Sequence, residues 1–115
     1  MGYMHPKGTK FIYLVTCIRP IIVKDKLRFG SKKTSSRCWG WYSDMDTATK
    51  HVKKNVTDIC EDGFYTFAVI EKVPAGILPI GIEEVKWFQW SFLKNKFAVC
   101  KKPEWSERTV NWGIS

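Results

Sequence analysis

Cations and aromatic rings stand side by side in three separate segments of this chain, and that mixture is the chemistry its residue types offer. Arg37 precedes Trp39 and Trp41; strand alternation would put these three on one face, with Cys38, Gly40 and Tyr42 on the other. Lys86 precedes Trp87-Phe88-Gln89-Trp90, and Arg108 precedes Asn111-Trp112. A guanidinium is a planar fork matched to phosphate. An aromatic face stacks on a base, and an Asn amide hydrogen-bonds a base edge. Together these are the parts of a nucleotide or single-strand site. In it Arg28, Arg37 and Arg108 would neutralise phosphate, and Trp41, Trp87 or Trp112 would stack the base. For any single tryptophan the simpler reading is a core residue with a cation snorkelling at its edge; recurrence in three segments favours binding. Alternation sets Trp87, Gln89 and Ser91 on the more polar side of their strand. Trp87 is therefore the expected ligand contact, and Phe88 and Trp90 the expected core.

Residues for covalent chemistry are sparse. His5 lies just before Pro6, and His51 sits between basic and apolar neighbours. Cys17, Cys38, Cys60 and Cys100 form no C-x-x-C pair, so no metal site is indicated by spacing. Glu83 and Glu84 are adjacent, which in a strand points them to opposite faces; the pair reads as part of a solvated loop. Nucleophile-elbow, Walker A, dinucleotide-binding and H-E-x-x-H patterns are all missing. The expectation is a protein with no catalytic residue, no metal and no cofactor, and hence not an enzyme.

Charge is the strongest bulk property. The 115 residues carry a formal net charge of +8, and it is unevenly placed. Residues 1–54 hold twelve Lys and Arg against three Asp; residues 55–115 hold seven against eight Asp and Glu. A field this one-sided favours an anionic partner, or else a basic face that serves solubility. The length suits one domain, and with 44% hydrophobic residues there is enough apolar surface for a core. The N-terminal residues form no secretory h-region, and Pro6 breaks the myristoylation pattern. No apolar run reaches membrane-spanning length. These features predict a cytoplasmic protein, with no membrane partner and with reduced thiols.

Several elements are expected to position these groups. Residues 9–18 (TKFIYLVTCI) read as a strand that Pro20 interrupts, and 21–29 as an edge strand. Residues 30–36 (GSKKTSS) read as a basic loop, and 37–42 as a strand. Ser43 and Asp46 have capping-box spacing. Met45, Ala48, Val52, Val56 and Ile59 then recur at helical intervals, predicting a helix over 44–56, extending at most to 59, with Gly63 as a stop. Residues 64–73 (FYTFAVIEKV) read as a central strand, and 74–81 as irregular. Residues 86–92 and 96–101 make a hairpin turning at Lys94-Asn95, and Pro103 ends the last strand.

The expected architecture is a single α+β domain over 1–115. It has a mostly antiparallel sheet of about five strands and one main helix packed on one face. Residues 1–8 are a loose tail. Residues 103–115 are an irregular tail whose Trp105 and Trp112 pack on the body or on a partner subunit. Aromatics on the uncovered sheet face make a homodimer the expected oligomer.

From Arg37 onward the chain resembles a family of short uncharacterised phage and bacterial proteins. The carriers are R-C-W-G-W-Y, N-V-T-D-I (55–59), Y-T-F-A-V-I-E-K-V-P-A-G-I (65–77), W-F-Q-W (87–90) and N-W-G-I (111–114), about two-thirds of the chain. The nearest functional likeness is to phage counter-defence sponge proteins similar to Thoeris anti-defence protein 1. That likeness implies binding of a cyclic nucleotide-type immune signal at a dimeric interface, held without cleavage. No binding residue is carried over from it. The expected function is therefore a phage-encoded, non-enzymatic sponge for a phosphate-bearing nucleotide. The alternatives are an anti-CRISPR-like inhibitor of a host defence protein complex and a small basic protein that binds nucleic acid. The candidate ligand residues are Arg28, Arg37, Trp41, Lys86, Trp87, Arg108, Asn111 and Trp112.

Overall fold

The computed structural model of the chain describes residues 10–20, 34–74 and 83–106. The apolar, β-branched runs form five strands: β1 (Phe11–Pro20), β2 (Thr34–Tyr42), β3 (Phe67–Pro74), β4 (Glu83–Ser91) and β5 (Lys96–Cys100). One helix, α1 (Met45–Lys53), follows β2, and a short 3-10 turn spans Glu104–Ser106. The sheet order is β2-β1-β3-β4-β5, and every neighbouring pair is antiparallel. This is the expected α+β architecture, with the 64–73 segment in the middle strand. The expected strand over 21–29, the tail at 1–8, and the tail beyond 106 lie outside the described residues.

Strand limits differ from the sequence reading in a consistent way. β1 continues through Pro20, which pairs with Thr34 across the hairpin, and β2 begins three residues earlier than Arg37. Proline at a strand end needs no ladder donor, so Pro20 closes the strand without cutting it at Ile18. β4 likewise begins at Glu83, so Glu83 and Glu84 are strand residues and not a loop.

The helix starts and stops on polar side chains. Asp44, not Ser43, is the N-cap: its carboxylate accepts the Thr47 N–H at 2.7 Å and the Thr47 hydroxyl at 3.0 Å. Those donors hold the Asp44 carboxyl below its ordinary range. The C-terminus is a Schellman closure. Asn55 N–H donates to the Val52 carbonyl at 3.0 Å and Val56 N–H to His51 at 3.1 Å, with Asn55 at φ 50°. Asn takes this left-handed position more readily than most residues, so the helix ends here. It does not run on to Val56 or Ile59. Ile59 still reaches the core, fully buried, from the loop that follows.

That loop is tied by its own side chains. Asn55 accepts the Cys60 N–H at 2.8 Å and donates to Asp58 at 3.2 Å. Asp58 accepts the Asp62 N–H at 3.1 and 3.2 Å, which lowers the Asp58 carboxyl's pKa. Thr57, Asp58, Glu61 and Asp62 all have positive φ, as does Gly63. Thr57, at φ 53°, is the most costly of these because it is β-branched. Thr57→Asn is expected to stabilise the protein by about 0.5–1 kcal/mol by relieving this strain. The denaturation midpoint reads the change, and a fall in midpoint would contradict it.

Register divides the core. On the helix side of the sheet, Val15, Cys17, Ala68, Ile70, Phe88 and Phe97 pack with Ala48 and Val52 of α1 and with Ile59, Cys60 and Tyr65. On the other side Ile18, Val69 and Trp87 form a second cluster with Phe67 and Cys100. Thr16 and Glu71 on this second side are fully buried. On this second side Trp87 is thus buried within a single chain, while Trp41 is exposed. Among the described residues, no helix is long and apolar enough to cross a membrane.

Candidate functional site

The sequence-derived ligand residues that are described do not converge. Arg37 lies on the helix side of β2, opposite Cys17 in register. It pairs with Glu61 at 2.6 Å, and its guanidinium sits 5.1 Å from the Trp39 ring centroid. It therefore fastens the post-helix loop to an edge strand. Trp41 does not share a face with Arg37. The β1–β2 register shifts between Val15 and Thr16, leaving Trp39 as the extra residue. One inserted residue inverts the alternation, so Trp41 stands on the second side of the sheet, 62% exposed. Lys86, opposite Ile70, is half-buried on the helix side. Trp87 is 4% exposed and aims its indole N–H at Glu84 over 3.5 Å. That corrects its reading as a ligand contact: it packs with Ile18 and Val69 on its own flank, and Phe88 is buried on the other. β2 and β4 are separated by two intervening strands, about 14 Å at ordinary strand spacing. Arg28, Arg108, Asn111 and Trp112 lie outside the described residues.

The second side of the sheet carries an acidic pair that adjacency in sequence did not reveal. Glu71 and Glu84 stand opposite each other in register across β3 and β4. Lys102 reaches Glu84 at 2.8 Å. Glu71 has no exposed surface with which to meet a ligand, so this cluster serves the interior.

The cysteines are four free thiols. Cys17 is pushed up to about 12, first by burial and then by the Glu61 carboxylate. Burial also raises Cys38, Cys60 and Cys100. A raised folded pKa means that the folded state keeps a proton the unfolded state loses. The Cys17 contribution is therefore fully present below pH 9.0 and is lost as pH climbs towards about 12, at about 1.4 kcal/mol per pH unit. At pH 8 a thiol reagent should label Cys38, the exposed one, first and more slowly than free cysteine, and Cys17 only on unfolding. Fast Cys17 labelling in the folded protein would refute this. Among the described residues, no group of three His, Cys, Asp or Glu side chains can hold a metal ion.

Two neighbouring hollows are open among the described residues. The first is a groove of about 320 Å³ between the end of α1 and β5, lined by Lys53, Lys94, Lys96, Phe97, Ala98 and Val99. Lys53 comes from the last helical residue, where cations suit the helix dipole. Lys94 and Lys96 flank Asn95 in the β4–β5 turn, where Asn95 takes φ 54° as the tight turn requires. None of the three lysines is ion-paired to a described residue. The second is a cleft of about 270 Å³ bordered by Asn55, Asp62 and Asn95 and walled by Trp90 and Phe92. Gly63 is needed there: a Cβ on it would come within 2.8 Å of the Phe92 ring, and its φ is +84°. In the sequence, Lys94-Asn95 was legible only as a turn; nothing local links residue 53 to residues 94–96. No known protein family, curated protein or solved structure matches this chain.

Proposed function

We propose that this protein is a non-enzymatic binder that sequesters a phosphate-bearing nucleotide signal, a phage-encoded anti-defence sponge acting in the host cytoplasm. The observation that carries the reading is the groove of Lys53, Lys94 and Lys96, three ammonium groups around one hollow with no carboxylate in its lining. Three cations brought together without counter-charge repel one another, and a polyanion relieves that repulsion. The groove volume is at the lower end of small-ligand sites, which suits a nucleotide phosphate end. The chain's net charge of +8 would draw such a ligand in. The resemblance to counter-defence sponges agrees in ligand class.

The test is retention without change. The full chain is incubated with cyclic di- and trinucleotides and cyclic ADP-ribose isomers, washed, heat-denatured, and the released molecule identified by mass. Intact recovery is the expected result. An altered product would make the protein an enzyme, and no retention at micromolar protein would refute the reading.

The same hairpin favours a second reading, an inhibitor that docks on a host defence protein. Phe92 is 65% exposed, Leu93 92% and Val99 55%, all on or beside the β4–β5 turn. Under that reading Leu93→Ser abolishes complex formation with the host protein and leaves nucleotide retention unchanged.

A further inference from the structure

We infer that the cleft beside the lysine groove seats the base of the bound nucleotide and selects guanine. The inference rests on the nucleotide reading above and adds to it the identity of the base.

No residue lines both hollows, but near neighbours in the chain line one and the other. On one side Lys53 lines the groove and Asn55, two residues on, lines the cleft. On the other side Lys94 and Lys96 line the groove, and Asn95 between them lines the cleft. A ligand lying across the K-N-K turn therefore meets ammonium groups at one end and the polar, aromatic cleft at the other. Charge fixes which end goes where. Asp58 and Asp62 line only the cleft, and carboxylates there repel phosphate, so the phosphate end belongs with the lysines.

Within the cleft, two polar side chains remain available. Asn55 uses both ends of its amide, on Cys60 and Asp58. Asp58 is occupied by Asn55, by the Cys60 thiol and by the Asp62 N–H. Asp62 is held through its backbone by Asp58, while its exposed carboxylate makes no hydrogen bond or ion pair to a described residue; the same is true of the Asn95 amide. Phe92, 65% exposed and edge-on to Trp90 at 6.5 Å, supplies an open ring for stacking. A carboxylate accepts two parallel hydrogen bonds from adjacent N–H donors on one edge. Guanine presents such a pair, N1–H and the N2 amine. Adenine, cytosine and uracil each lack two adjacent N–H donors on their pairing edge. The Asn95 amide can then donate to guanine O6 or N7.

The experiment is calorimetric titration of the full chain with GMP, AMP and ribose 5-phosphate, and with cyclic di-GMP and cyclic di-AMP, at one ionic strength. The guanine ligands are expected to bind at least tenfold tighter than their adenine counterparts. Asp62→Asn is expected to remove that difference while leaving AMP and ribose 5-phosphate binding unchanged. Asn95→Gly, which keeps the turn conformation and removes only the amide, is expected to weaken GMP severalfold. Equal affinity for guanine and adenine ligands would overturn the base assignment and leave the lysine-groove reading standing. Loss of AMP binding in Asp62→Asn would also overturn it, because the residue would then not act through the base. If none of the five ligands binds, the base assignment fails, while the nucleotide reading stands or falls separately on the retention assay above.

Discussion

Reversing two charges, as Lys94→Glu with Lys96→Glu, is expected to weaken nucleotide binding about 100-fold and to leave folding intact. Each lysine would contribute a charge-assisted contact to phosphate, worth about 1.5–3 kcal/mol where water is partly excluded. Exposure of both side chains puts these contacts at the low end, and two of them give about 3 kcal/mol, or about 100-fold. Reversal adds repulsion to the loss, so 100-fold is a floor at low salt. Affinity of the unmodified chain should fall as ionic strength rises, because exposed charges are screened over about 10 Å at 0.1 M. Neither lysine is ion-paired to a described residue, so the melting temperature should move by no more than about 2 °C. The control is Lys101→Glu, an exposed lysine that does not line the groove, expected to change affinity less than about threefold. If it costs as much per charge as the groove variants, binding follows net charge and the groove has no special part in it.

Phe88→Ala is expected to destabilise the fold by about 3–5 kcal/mol, against the roughly 5–15 kcal/mol that native domains usually have. Phe88 has no exposed surface and lies in the cluster joining the sheet to α1, with Val52, Ala68 and Phe97. Truncating it leaves a cavity that the surrounding strands cannot close without breaking register. Phe92, four residues on and of the same strand parity, is 65% exposed; Phe92→Ala should cost no more than about 1 kcal/mol. Chemical denaturation of both variants measures the contrast. Equal losses would mean that Phe92 is a core residue, contrary to its place at the cleft wall.

These two variants also mark how far the sequence reaches. Phe88 as core was legible from alternation alone, since a strand buries every second residue and W-F-Q-W offers one apolar flank to the helix. The reading failed for Trp87 because β4 lies inside the sheet, with apolar neighbours on both sides. Alternation distinguishes two faces but does not say that either one is wet. For Trp41 the failure was a counting error built into the backbone: the extra residue at Trp39 leaves composition unchanged and reverses every face beyond it.

By itself the sequence determined the strands, the existence of α1, the left-handed turn at Asn95 and the basic surplus, because each follows from local propensity, short-range period or simple charge. The tertiary structure decided where α1 stops, since the Asn55 closure competes with an apolar spacing that would have continued the helix. It also decided which cations gather round one hollow and which is paired. Lys53 and the K-N-K turn are more than forty residues apart and meet only because α1 packs over the sheet and reaches edge strand β5. The Arg37 that the cation–aromatic pattern favoured is instead paired with Glu61. Local sequence carries side-chain chemistry, but the pairing or freedom of a charge depends on which distant carboxylate the fold brings to it.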